Sequence, residues 1–489
     1  MLFNSHIFML LFLPLLLAGW YFLNWKKKFQ LAQGYLIGMS LWFYAYANLQ
    51  YLWLLLFSCL IGWLLSCLPE KISSEKGKKV LTGVGCVFHL GLLGYFKYSN
   101  FFLENLNTAF HTDFPMLQIL LPVGISFYTF QQLAYLIDRC RGDAPRDSFF
   151  DYLTFMVYFP QLLQGPILLR SEFMEQLKEP ERRRFHAERF SEGIQFFVFG
   201  LAKKVLLADT LAKAVNYGYS NVSMLDSISA LLLAVGYLTE LYFDFSGYCD
   251  MAVGLGKMIG LEVAENFDAP FHSASVKEFW RRWHMTLGRF FTRYVYIPLG
   301  GNRRGKMRTL CNVMIVMLLS GLWHGAAWTF VLWGFLHGVG MIWDNLEHPH
   351  LPKKWMRQAA TFAYVCMTFV FFRAESIEQG VDVLKSIVSL KWNGFVFQMA
   401  SALDLTEFYM ITKALSMKLP GLLSWFWLGI FVVLIAICFR VLSGEKVSGV
   451  VALQRQKGYG RLYPVLLAVL FTWSMISMTG VSEYLYFSF

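Results

Sequence analysis

The stretch from Thr309 to Trp343 carries no Asp, Glu, Lys or Arg, and it is one of many apolar runs spread along the chain. A helix needs about 20 apolar residues to cross the hydrocarbon core of a bilayer. Runs near that length fall at roughly 5–24, 31–49, 51–68, 80–97, 116–137, 191–208, 226–245, 309–324, 327–345, 357–373, 424–440 and 462–480. In hydrocarbon, backbone groups must bond one another, so apolar runs of this length are read as helices. The expectation is an all-α, polytopic integral membrane protein with about ten to twelve crossings. Composition agrees. Only 15% of the 489 residues are charged and 56% are hydrophobic, against about 25% charged in a soluble domain.

The first run has no basic segment before it and no small-residue cleavage site after it, so it reads as a retained span. Lys26, Lys27 and Lys28 follow the first run, Lys71, Lys76, Lys78 and Lys79 the third, and Arg139, Arg141 and Arg146 the fifth. Basic loops favour the cytoplasm. The pattern is self-consistent with the N-terminus outside, the loop from Arg440 to Arg461 inside, and a C-terminal tail that begins outside. The net charge of +11 then belongs to cytoplasmic loops and calls for no nucleic acid. The eight cysteines include no CxxC pair and read as small buried hydrophobes, with neither a disulfide framework nor a metal site. No repeat or soluble segment divides the chain, so 1–489 is expected to form one membrane-embedded unit.

Two regions break the regular pattern. Residues 149–169 are apolar but contain Pro160 and Gly165-Pro166, which favours a re-entrant or broken helix shielded by protein. Residues 262–308 are too polar to span yet rich in aromatics. They read as short helices lying in the interface or dipping into a cavity.

The candidate chemistry lies in and beside these regions. His284 sits in FWRRWH and His324 in SGLWHG. Ionisable groups at membrane depth are costly and mark function by default, and imidazole titrates nearest neutrality. The alternative for His324 is a satisfied core histidine on a helix whose small residues Gly321, Gly325, Ala326 and Ala327 permit close packing. No HExxH motif or carboxylate at ligand spacing suggests a metal. Arg281 and Arg282 suit phosphate recognition or interfacial anchoring. Asp244, in YFDFSGY, falls where the apolar run ends. It reads as a helix-end cap or a partner for an arginine, or else as cavity lining. Asn266, in ENFDAPF, reads as a turn residue or as the partner of a histidine ring. The final SEYLYFSF can lie in the interface or fold back into an outward-opening cavity, carrying Tyr484 and Tyr486 toward the membrane centre.

Taken in order, YFDFSGY, ENF, RRWH, IPLGGNRRG and LWHG resemble the membrane-bound O-acyltransferase superfamily. The match is nearest to its bacterial branch of alginate O-acetylation and teichoic-acid D-alanyl-transfer proteins. The resemblance is strongest over about residues 120–345 and extends weakly to FFRAES and the last residues, beyond further spans at about 420–489. It implies a ring of helices around a central funnel in the bacterial cytoplasmic (inner) membrane. No bound cofactor is implied. Acetyl-CoA or a phosphopantetheinyl carrier protein would enter from the cytoplasm as donor. The acyl group would leave toward an SGNH-like extracytoplasmic transferase and a cell-envelope polysaccharide. His324 would be the general base. His284 would orient the donor, bond the oxyanion or assist proton transfer. Arg281 and Arg282 would bind donor phosphates, Trp323, Asn266 and Asp244 would line the cavity, and Tyr486, with Tyr484 as fallback, would relay the acyl group. The alternatives are D-alanyl transfer from a carrier protein, lipid acylation, and a proton-coupled transporter.

Overall fold

The computed structural model describes residues 1–346, 352–442, 446–458, 460–478 and 484–485, and among these there is no β-strand. The chain runs through α1 (Leu13–Trp25), α2 (Phe29–Cys67), α3 (Glu75–Leu93), α4 (Ser99–Phe110), α5 (Ile125–Arg141), α6 (Phe149–Val157), α7 (Phe159–Leu162) and α8 (Arg170–Lys178). It continues through α9 (Ala187–Ala202), α10 (Asp209–Ser220), α11 (Ser227–Ile259), α12 (Val276–Arg282), α13 (Met285–Phe291), α14 (Lys306–His324) and α15 (Trp328–Trp343). The remainder is α16 (Lys354–Arg373), α17 (Ile377–Val388), α18 (Phe395–Ser401), α19 (Tyr409–Lys418), α20 (Pro420–Leu442), α21 (Val447–Lys457) and α22 (Leu462–Ser477). Among the described residues, six helical segments are long and apolar enough to cross a membrane, and α15 and α22 are shorter apolar helices. The protein is an all-α, multi-pass membrane protein. Large apolar side chains such as Leu49, Trp53, Val87 and Leu462 are exposed, while Gln132, Gln164, Asp147, Lys204 and Asp244 are buried. A polar interior behind an apolar surface is the arrangement a lipid solvent selects.

The spans at 31–49 and 51–68 are both present within α2. Gln33 Nε2 donates to Asp151 Oδ1 at 2.9 Å, and Trp63 Nε1 donates to the Asp147 carbonyl at 3.1 Å. A straight helix would hold residues 33 and 63 about 45 Å apart. Since both meet the same short segment, α2 doubles back between them. The 116–137 run is different, because only its second part is helical, from Ile125. Residues 112–122 form no helix: Pro115 and Pro122 disfavour one, and Asn100 bonds both backbone groups of Leu117 in its place.

Asp244 is expected at the end of an apolar helix, but α11 runs on to Ile259 and Asp244 lies well inside it. What lets the helix continue is Lys204, whose ammonium donates to Asp244 Oδ1 at 2.6 Å and also pairs with Asp209 at 2.8 Å. Its partner is thus a lysine, where an arginine had been considered. Nor are all the cysteines buried hydrophobes. Cys59, Cys67, Cys249, Cys366 and Cys438 are buried, but Cys86 and Cys140 are half-buried and Cys311 is exposed.

Backbone contact holds the centre together. Gly200 and Gly247 face each other so closely that a Cβ on Gly200 would lie 2.5 Å from the Gly247 carbonyl oxygen, and one on Gly247 would lie 2.7 Å from that of Gly200. Gly193 and Gly254 repeat the arrangement one heptad away, at 2.7 and 2.5 Å. Small residues are what permit such approach between membrane helices. The broken region 149–169 forms as expected: α6 and α7 are short, and the stretch from Leu163 to Leu168 is buried. Arg170 holds its far end with a two-pronged bond to Asp147, a geometry that suits guanidinium and carboxylate.

Gly247→Leu is expected to separate α9 from α11 and to destabilise the protein by about 1–3 kcal/mol or more. Thermal melting of purified protein in detergent would show this as a lowered midpoint.

Candidate active site

The region 262–308 folds into α12, α13 and short helical turns that carry His284 into the interior, where it is 1% exposed. His284 lies between α12 and α13 with φ 46° and ψ 52°. This left-handed conformation costs a residue with a side chain roughly 1–3 kcal/mol. Neighbouring backbone bonds hold it there. Met285 N donates to the Asn266 carbonyl at 2.9 Å, and Asp268 N donates to the Arg282 carbonyl at 2.9 Å.

Asn266 also fixes the ring. Its Oδ1 lies 3.1 Å from the Thr286 backbone N–H, so that atom must be the acceptor oxygen. The same Oδ1 is 3.2 Å from His284 Nδ1, which therefore carries the proton and donates. His284 Nε2 is left as the lone-pair nitrogen, buried and with no hydrogen-bond partner among the described residues. The hydroxyl of Thr286 donates to the same oxygen at 3.0 Å and accepts from Ile167 N at 3.0 Å, tying the broken region to the site.

His324 ends α14 and is 3% exposed. Its ring centroid lies 6.4 Å from that of His284. Close packing of α14 on α15 sets its position, since a Cβ on Gly321 would lie 2.3 Å from the Phe330 carbonyl oxygen. Trp323 is buried against Phe127 and Phe130, at 5.2 and 5.3 Å between ring centroids. The structure thus brings together His284, His324, Trp323 and Asn266. His337, thirteen residues beyond His324, is a contrast. Trp280 Nε1 donates to its Nδ1 at 3.2 Å, and its Nε2 meets Thr368 Oγ1 at 2.9 Å. Indole only donates, so His337 Nδ1 is the acceptor and both nitrogens are satisfied in a structural role.

The remaining candidates lie apart from the two histidines. Arg282 is committed to Glu278 at 2.8 Å and to the Asp268 carbonyl at 3.3 Å, whereas Arg281 is exposed. Asp244 faces a second cavity of about 530 Å³, lined also by Lys204, Asp209, Glu240, Arg373 and Leu485. The tail does return to the interior. Tyr484 is fully buried, with the Lys204 ammonium 4.6 Å from its ring centroid, and Leu485 N donates to Asp244 Oδ2 at 3.1 Å. Tyr486 lies outside the described residues.

One participant carried no motif in the sequence. Lys97, between α3 and α4, donates to the Trp323 and His324 carbonyls at 2.7 and 2.9 Å. A basic residue inside an apolar run was the available signal.

Two facing histidines buried in a multi-pass helical protein, one with a bare lone pair, equip it for proton transfer to and from a substrate brought into the bilayer. Residues 141–377 match the model of the membrane-bound O-acyltransferase (MBOAT) family. The chain is 36% identical to the peptidoglycan O-acetyltransferase of Helicobacter pylori over 423 residues, 80% of each chain. It is 40% identical to the probable alginate O-acetylase AlgI of Azotobacter vinelandii over 390 residues, 77% of this chain and 76% of that one. The teichoic acid D-alanyltransferase of Bacillus subtilis is 28% identical over 268 residues, 51% of this chain and 68% of its own length. The chain belongs to the MBOAT family and is an acyltransferase, which removes the transporter alternative.

Asn266→Ala should leave the His284 tautomer unfixed. A hydrogen bond of this kind contributes about 1 kcal/mol, so turnover is expected to fall roughly fivefold. His337→Gln, remote from this exchange, should change turnover far less. Steady-state rates on folded variants compare the two.

Proposed function

We propose that the protein takes an acetyl group from a cytoplasmic thioester, acetyl-CoA or a phosphopantetheinyl carrier protein, and passes it outward for O-acetylation of a cell-envelope polysaccharide. Basic loops such as Lys26 to Lys28 and Arg303 face the cytoplasm with Arg281, the N-terminus is on the outer side, and the tail enters the protein from that side. The observation that carries this reading is the position of the tail. Leu485 lines the 530 Å³ cavity together with Phe330 and Phe372, and the Phe372 ring lies 5.2 Å from that of His324. Chain arriving from one end is thus one aromatic layer away from the buried histidines. Acetyl is favoured over D-alanyl because the two O-acetylating relatives are more similar to the chain, over more of its length, than the D-alanyl relative.

In this reading His324 is the general base. A hydroxyl oxygen bonds the thioester carbonyl carbon and its proton passes to His324. The carbon–sulfur bond then breaks and the leaving thiolate is protonated. An unassisted phenol, with a pKa near 10, attacks slowly at neutral pH, and a positioned base contributes about 10²–10⁴-fold. His284, whose tautomer presents a lone pair and no N–H at Nε2, assists by accepting a hydrogen bond while the proton itself passes to His324. That argues against the oxyanion-bonding role considered from sequence. Exposed Arg281 receives donor phosphates. Tyr484 anchors the tail, and Tyr486 carries the acyl group to an SGNH-like external transferase, so the thiol never crosses.

His324→Ala should lower transfer by about 10²–10⁴-fold while the protein still folds, and retained activity would remove His324 from the mechanism. Mass spectrometry of the C-terminal peptide after exposure to acetyl-CoA should show an added acetyl group on Tyr486. Full polymer acetylation by Tyr486→Phe would end the relay idea.

A further inference from the structure

Lys97 lies within a 36-residue apolar segment, Glu75–Phe110, where a lysine near the end of a span would be expected to extend toward the interface. It is instead held inward. Gly94–Tyr98 winds as a π-helical turn, a local widening that recurs at functional sites. Two successive side chains of this turn reach the end of α14. Tyr98 donates to the Leu322 carbonyl at 2.5 Å, and Lys97 donates to those of Trp323 and His324. The last carbonyls of a helix lack partners within it and form its negative pole, so an ammonium is favoured there. That much is a helix cap.

A second observation goes beyond capping. Lys97 and His324 line the same small cavity, of about 50 Å³, together with Pro122, Gly124, Leu163 and Trp323. A water needs about 10–15 Å³ by the same kind of measure, so the space takes roughly three or four non-hydrogen atoms. An acetyl group has three. An ammonium has three N–H donors, and two of those on Lys97 are spent on carbonyls.

We propose that Lys97 is a further catalytic residue, whose third N–H holds the oxyanion formed from the donor's carbonyl while the cavity receives the short acyl group. This rests on the reading of His324 as base. The attacking hydroxyl oxygen bonds the carbonyl carbon, its proton goes to His324, and the carbonyl electron pair moves onto the oxygen facing Lys97. The intermediate collapses, the carbon–sulfur bond breaks, and the thiolate takes the proton from His324. Lys97 gives up no proton in this step and acts only as a donor where charge develops. The lone-pair tautomer at His284 Nε2 offers no such donor.

The test uses full-length protein in proteoliposomes with acetyl-CoA, following thiol release and acetylation of the C-terminal peptide alongside thermal melting. Lys97→Gln keeps a two-donor amide for the α14 carbonyls. It is expected to melt near wild type and to retain the KM for acetyl-CoA, while kcat falls on the order of 10²–10³-fold. A stable Lys97→Gln at wild-type kcat overturns the proposal and leaves Lys97 as a cap. If the glutamine variant melts low, Lys97→Arg decides. It keeps charge and cap but displaces the N–H, so a folded, slow enzyme supports the proposal and a wild-type rate overturns it. Wild-type protein that releases no thiol from acetyl-CoA would count against the parent reading instead.

Discussion

At membrane depth the polar groups of this chain have only other protein groups to bond, and that constraint organises its centre. Lys204 is buried between Asp209 and Asp244, and Lys97 is spent on the carbonyl end of α14. Both lysines lie in π-helical turns, Lys203–Ala208 and Gly94–Tyr98. In each case one widened turn within a long helix redirects a cation that regular winding would leave on another face.

The same constraint separates the histidines. His337, bonded through both nitrogens, is packing that happens to be polar. His284 is bonded through one, and the orientation of Asn266 decides which. A single backbone N–H, that of Thr286, fixes the amide, the amide fixes the tautomer, and the tautomer leaves a base facing the interior. Backbone geometry has become proton-transfer capability through three contacts. The left-handed conformation at His284 costs stability, and the bonds that Met285 N and Asp268 N donate to the Asn266 and Arg282 carbonyls offset that cost.

Much of this was legible in the sequence, and the parts that were not have definite causes. The broken segment at Pro160 and the burial of the two histidine motifs are local patterns, and they landed where expected. The apolar runs gave the helical class, but six segments of spanning length among the described residues where about ten to twelve crossings were expected. Asp244 looked terminal because polar residues follow it, but its partner Lys204 lies 40 residues earlier. That pairing lets α11 continue through its polar stretch. Lys97 was invisible as a site residue because its partners are backbone carbonyls more than 200 residues away, which leave no side-chain signature. The glycine pairs 193/200 and 247/254 share a seven-residue spacing that can be seen in the sequence. Which helix each pair would meet was not encoded locally. Arg282 looked like a phosphate ligand until Glu278, one helical turn before it, proved to hold its guanidinium.

The central claim is that an acyl group crosses through this site while its thiol stays behind. The direct measurement is a doubly labelled acetyl-CoA, one label in the acetyl group and another in the CoA moiety, presented to the basic end of the protein in oriented proteoliposomes. The account predicts that the acetyl label becomes protected on the tail or transferred at the opposite face, while the CoA label remains entirely on the side of addition. Acetyl transfer confined to the side of addition, or both labels crossing together, would contradict it.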